Sequence, residues 1–192
     1  MFPELLRERL SGIVELSEGQ VAALKGHYEL MTRWNQTLNL TTITDLATVV
    51  ERHYCESLFL GSLLPAGSWK VADVGSGPGF PGFPVAILRP DCSVTLIESH
   101  QRKAVFLKEV CRGITNIRVL SKRADDVREE FDWMVSRAVS YKDLTRSLRR
   151  LGRCAALLTG SDVPPDEMGF SWREAVPLPW GGQRFARISC FT

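Results

Sequence analysis

No Cys-x-x-Cys pair occurs among the five cysteines at 55, 92, 111, 154 and 190, and their number is odd. That spacing argues against a zinc site or a disulfide framework and points to a reducing compartment, the cytoplasm. Charge of one sign is also missing. The chain carries 24 Lys+Arg against 22 Asp+Glu, a net +2, so composition alone does not mark a nucleic-acid binder; the distribution of charge has to decide. No apolar run approaches the about 18 residues that span a membrane. The start, MFPELLRERL, lacks the apolar stretch of a signal peptide. Repeats and low-complexity tracts are absent, and the three histidines are scattered at 27, 53 and 100, so no metal is expected.

What is present is an ordinary globular composition, 44% hydrophobic and 24% charged over 192 residues, enough chain for one self-sufficient core. Residues 1–65 read as a helical extension. Ser17 and Gln20 form a capping box, and Val21, Leu24, Tyr28 and Met31 then recur at helical spacing. Thr44-Asp45 caps a second stretch that ends at Gly61, and Pro65–Ser68 is a linker.

Over 66–192 strands alternate with helices. Strands are expected at Val71–Val74, Val94–Ile97, Ile117–Leu120, Trp133–Ser136 and Cys154–Leu158. Helices are expected at Pro84–Leu88, Arg102–Cys111 and Leu144–Leu151. Residues 172–178 and 184–191 form a closing antiparallel pair around Pro179-Trp180-Gly181-Gly182. This alternation implies a doubly wound, mostly parallel α/β sheet.

The strongest local signal is Asp73-Val74-Gly75-Ser76-Gly77-Pro78-Gly79-Phe80-Pro81-Gly82 directly after the first strand. Ligands of open α/β sheets lie at the carboxyl ends of the strands, and backbone without Cβ lets them come close. A dinucleotide fingerprint would require a third glycine where Phe80 stands, so a nucleoside cofactor without pyrophosphate fits better than NAD. Asp73 can face a cationic cofactor. Glu98 ends the second strand about 20 residues on, where a carboxylate accepts hydrogen bonds from ribose hydroxyls.

Several segments occur in order: Asn39-Leu40-Thr41, Arg52-His53-Tyr54-Cys55-Glu56-Ser57-Leu58, the glycine loop, Leu96-Ile97-Glu98-Ser99, Lys103 with Phe106-Leu107, Arg123-Ala124-Asp125 and Ser136-Arg137-Ala138. This series, from about Trp34 to Arg184, resembles the RsmG or GidB family, the 16S rRNA guanine-N7 methyltransferases. The resemblance implies a Rossmann-like, seven-stranded S-adenosylmethionine-dependent methyltransferase fold. It implies cofactor contacts at Gly75, Gly77, Gly79, Phe80, Glu98, Ala124, Asp125 and Arg137, with Arg137 also positioning the target. Arg123 and Arg184 match basic positions that face RNA in relatives. The implied partner is 16S rRNA or the 30S subunit, met by a monomer in the cytoplasm. Two departures stand out: Glu56 replaces the usual Asp, and Thr159-Gly160 replaces Lys-Gly. With the last expected strand running to 191, no tail is expected to contact RNA.

Guanine N7 has a lone pair and no proton, so no general base is expected, and His53 on an amphipathic helix reads as structural. Arg146, Arg149 and Arg150 share a helical face that meets either RNA or solvent. Phe80 either stacks on an RNA base or packs under the loop. Competing functions are a non-catalytic assembly factor that binds the cofactor, an NAD-dependent oxidoreductase, and a methyltransferase for a small molecule.

Overall fold

The computed structural model describes residues 1–190. The parallel part of the sheet comprises β1 (Lys70–Val74), β2 (Ser93–Ile97), β3 (Ile117–Leu120), β4 (Phe131–Arg137) and β5 (Gly152–Thr159). Three more strands are β6 (Ser171–Trp172), β7 (Val176–Pro177) and β8 (Phe185–Cys190). The order is β3-β2-β1-β4-β5-β8-β6, with β7 also on β8. β8 runs antiparallel to β5, and β6 and β7 together fill one edge position, so seven positions hold eight segments. The closing antiparallel pair therefore exists, although its first member leaves the ladder between Trp172 and Val176. Phe191, the last residue expected in the second member, lies outside the described residues.

Helix α1 (Phe2–Leu10), α2 (Glu18–Leu38), α3 (Leu46–Val49), α4 (Glu56–Leu63), α5 (Gly82–Leu88), α6 (Gln101–Val110) and α7 (Tyr141–Leu151) surround the sheet. Helix α2 begins with the expected capping box. Ser17 Oγ accepts from the Gln20 amide, and Gln20 Oε1 accepts from the Ser17 amide. One hydrophobic core joins Phe2, Leu6, Leu24 and Met31 of the first two helices to Val71, Leu96 and Val135 of the sheet. A second lies on the other face, where Leu144, Leu148 and Leu151 of α7 meet Ala72, Met134 and Ala155. With both faces covered, the parallel strands are mainly apolar, although Asp73 of β1 and Thr95 of β2 are buried among them.

Two features depart from expectation. Cys154 and Cys190 are disulfide-linked; they are far apart in sequence, yet the antiparallel pairing of β5 and β8 places them opposite each other. Cys55, Cys92 and Cys111 are free and buried. Between α3 and α4, residues Val50–Cys55 form a π-helix, one of the wide turns that often mark functional sites. Among the described residues, no helix is long and apolar enough to cross a membrane.

Candidate functional site

The loop after β1 folds back over the sheet edge. Ser76 Oγ donates to the Asp73 carbonyl, and the Gly75 and Ser76 amides both donate to the Ile97 carbonyl. Asp73 is wholly buried, and its Oδ2 accepts from the Gly82 amide at 2.9 Å. Burial is the main force on its carboxyl and pushes it up to about 7, against the loop hydrogen bonds and Arg137. Its other oxygen, Oδ1, is buried without a partner. Glu98 reaches into the loop: Oε2 accepts from the Gly77 amide at 2.8 Å and Oε1 from the His100 amide at 2.7 Å. Each oxygen keeps a second lone pair for an incoming hydroxyl.

Two clefts open at the carboxyl edge of the sheet. The first, about 340 Å³, is lined by Gly75, Ile97, Ala124, Asp125, Val139 and Arg146, among others. Asp125 is steadied by Ser147, whose Oγ donates to Oδ1 at 3.0 Å, and Arg150 holds the Ala124 turn by donating to that carbonyl at 2.7 Å. The second cleft, about 800 Å³, is lined by Arg52, Glu56, Arg137, Tyr141, Thr159 and Arg184, among others. Val139 borders both.

The expected cofactor residues converge in part. Gly75, Ala124 and Asp125 line the first cleft, and Glu98 is bonded to the glycine loop at its side. Gly77 has φ +56°, and a Cβ built there meets no atom closer than 4.0 Å, so the bare backbone faces open space. Gly79 faces inward instead, toward His27 and Phe83. The features fit an adenosyl group carrying a cationic sulfonium: a bare backbone turn, a carboxylate pair at its rim and an unpartnered carboxylate oxygen beneath.

The structure also places the remaining expected residues. Phe80 is 2% exposed and cannot stack on an RNA base. Its ring stacks on His53 with centroids 4.7 Å apart, meets Tyr54 and His27 edge-on, and carries the Arg137 guanidinium 5.4 Å from its centroid. Arg184 is not a free cation: Nε lies 2.5 Å from Glu56 Oε1, though not in hydrogen-bonding alignment, and Nη2 donates to Glu51. Arg123 and Arg146 line the first cleft. Arg149 lies over Gly169 and lines neither cleft. Arg137 makes no ion pair with Asp73 or Asp125; it donates to His53 and to the Arg52 carbonyl.

His27 is the residue that sequence reasoning undervalued. Wholly buried, it bridges the Tyr54 hydroxyl (2.7 Å from Nδ1) and the Pro78 carbonyl of the glycine loop (2.8 Å from Nε2). A carbonyl only accepts, so Nε2 carries the proton and Nδ1 accepts from Tyr54. Burial draws its pKa down to about 4, against the Pro78 hydrogen bond, so the ring is neutral. The signal was available, because His27 falls between Leu24 and Met31 on the apolar stripe of α2.

Comparisons with known proteins follow this geometry. The family described as GidB, rRNA small subunit methyltransferase G, matches residues 20–157. A protein of that name from Desulforamulus reducens is 39% identical over 136 residues, covering 66% of this chain but only 56% of the relative. The one from Chromobacterium violaceum is 41% identical over 145 residues, covering 70% and 68%. The chain thus spans little more than half the length of the first of these relatives. In fold it is similar to a SAM-dependent methyltransferase from Aquifex aeolicus, with a TM-score of 0.60 at 15% identity over 76% of this chain and 93% of that one. On the match across its glycine loop, π-turn and first four strands, the chain belongs to the GidB family of rRNA small subunit methyltransferase G.

Proposed function

We propose that the chain transfers the methyl group of S-adenosylmethionine to N7 of a guanine in bacterial 16S rRNA. One observation carries the reading: two clefts at the carboxyl edge of the sheet adjoin at Val139, one lined by Gly75 and Asp125, the other by Arg52, Arg137 and Arg184. Donor and acceptor sites then adjoin at Val139. The relatives named ribosomal RNA small subunit methyltransferase G support it.

When bound, the cofactor supplies an electrophilic methyl. The protein has to place the guanine lone pair in line with it. Such alignment supplies up to roughly 7–11 kcal/mol in well-oriented reactions, and no proton has to be removed first. The geometry of His53 agrees with that economy. Burial, then Arg137, draws its pKa down to about 3, and both ring nitrogens are already engaged. Arg137 and Arg52 face the acceptor cleft, where they can neutralise RNA phosphate, so binding should weaken with salt. Large exposed apolar side chains among the described residues are few and scattered, at Met1, Val105 and Val163, which supports a monomer.

Incubation with methyl-labelled S-adenosylmethionine and bacterial 30S subunits, followed by nucleotide mapping, tests the proposal. Label on N7 of one 16S guanine is the expected result. Cofactor binding without transfer would favour an assembly factor, and binding of NAD instead would overturn the cofactor assignment. Arg137→Ala should lower kcat by about 100-fold, since misplacement by an ångström costs that much; unchanged kcat removes it from the site. Gly77→Val should weaken cofactor affinity at least about tenfold, because a β-branched residue is strained at φ +56° and its side chain enters the open space. Calorimetric titration showing wild-type affinity would count against the loop assignment.

A further inference from the structure

The π-turn Val50–Cys55 brings two acceptors to one guanidinium. Arg137 Nη1 donates to the Arg52 carbonyl, and Nη2 lies 2.8 Å from His53 Nδ1. A guanidinium has donors only, so His53 Nδ1 must be the acceptor. The ring proton therefore sits on Nε2 and is donated to Thr41 Oγ1 at 2.9 Å. Thr41 is itself fixed. Its hydroxyl oxygen accepts from the Ile43 amide, and its backbone exchanges two hydrogen bonds with the Asn35 side chain, at 2.9 and 3.0 Å. Phe80 closes the arrangement by stacking on the imidazole and lying beneath the guanidinium. Directly after Arg137, Ala138 adopts φ +58°, left-handed backbone that a non-glycine residue holds only where its surroundings impose it. The outcome is an arginine with little rotameric freedom at the wall of the acceptor cleft.

We infer that His53 is a positioning residue: as the Nε2–H tautomer locked by Thr41, it fixes the Arg137 guanidinium at the acceptor cleft. This rests on the methyl-transfer reading above. Two variants separate positioning from mere packing. His53→Leu fills the space without an acceptor, whereas His53→Asn keeps an acceptor oxygen at the place of Nδ1. In steady-state assays on 30S subunits, His53→Leu should lower kcat about 100-fold. Its affinity for S-adenosylmethionine should stay within about twofold of wild type, and His53→Asn should recover most of the lost kcat. Equal losses in both variants, or a loss in cofactor affinity that matches the loss in kcat, would overturn the inference.

A readout independent of activity guards against a variant that does not fold and against failure of the functional reading. The ¹⁵N shifts of the His53 ring in the wild-type protein at neutral pH should show Nε2 protonated and Nδ1 bare. An Nδ1–H tautomer or an imidazolium would sink the inference even if methyl transfer is confirmed. The expected tautomer without methyl transfer would instead remove only the functional reading.

Discussion

Gly82→Ala should cost about 3 kcal/mol or more, from a single added methyl. A Cβ at position 82 would lie 2.5 Å from Leu96 Cδ2 and 2.6 Å from both Cβ and Oδ2 of Asp73. Leu96 is fully buried, and Asp73 Cβ is tied to the backbone of the central strand β1, so neither can step aside cheaply. The Asp73 carboxylate would have to turn away and give up the Gly82 amide, leaving a second buried oxygen unpartnered beside Oδ1. For a domain of this size the melting temperature should fall by about 6–12 °C. The backbone at Gly82 is not left-handed, so the effect is steric and not conformational. Thermal unfolding with a shift under 2 °C would show that β1 and α5 can separate, and that the cradle is softer than its contacts imply.

Removing His27 should be comparably severe at neutral pH and should become less so in acid. His27→Leu leaves the Tyr54 hydroxyl and the Pro78 carbonyl without their partner, one of them in a fully buried side chain. At about 1–3 kcal/mol for each stranded group, the loss centres on about 3 kcal/mol. The pH dependence follows from the depressed pKa. Below pH 6.5 the unfolded chain binds a proton that the folded chain refuses until about pH 4. Wild-type stability from this residue is therefore present above that window and declines through it, by about 3 kcal/mol in total. The leucine variant carries no such acid penalty, so the gap between the two proteins should close between pH 7 and about 4. Asp73 acts in the opposite direction. Its folded pKa of about 7 lets the native state take up a proton as pH falls, which adds stability. Because both proteins retain Asp73, its contribution cancels in the difference. Urea unfolding at pH 7 and pH 4.5 measures the gap, and a constant gap would refute the neutral, buried assignment of His27.

The features legible in the sequence were those set by local period and local chemistry. Apolar runs gave the five parallel strands because a sheet covered on both faces has no polar side to alternate with. The glycine spacing and the position of Glu98 located the loop because β1 and β2 are adjacent and parallel, in register from Lys70↔Ser93 to Val74↔Ile97. Side-chain direction was not legible. Phe80 lies on the same loop as Gly77, yet one faces the core and the other the solvent, a difference that tertiary packing decides. Arg184 shows the same limit. The family resemblance suggested RNA at this position, but the π-turn presents Glu51 and α4 presents Glu56, and both pair with it. Burial, opposed by Arg184, still raises the Glu56 pKa. The π-turn itself left no trace in the sequence, since one widened turn does not shift the apolar period of so short a segment.

Val139 lines both clefts at the carboxyl edge of the sheet. A Cβ on Gly75 would touch Val139 Cγ2 at 2.7 Å, so loop and side chain are already in close contact on the donor side. A substitution at 139 would change the lining of both clefts at once. One apolar side chain thus couples the shape of the cleft beside Gly75 to that of the cleft beside Arg137, without any charge of its own.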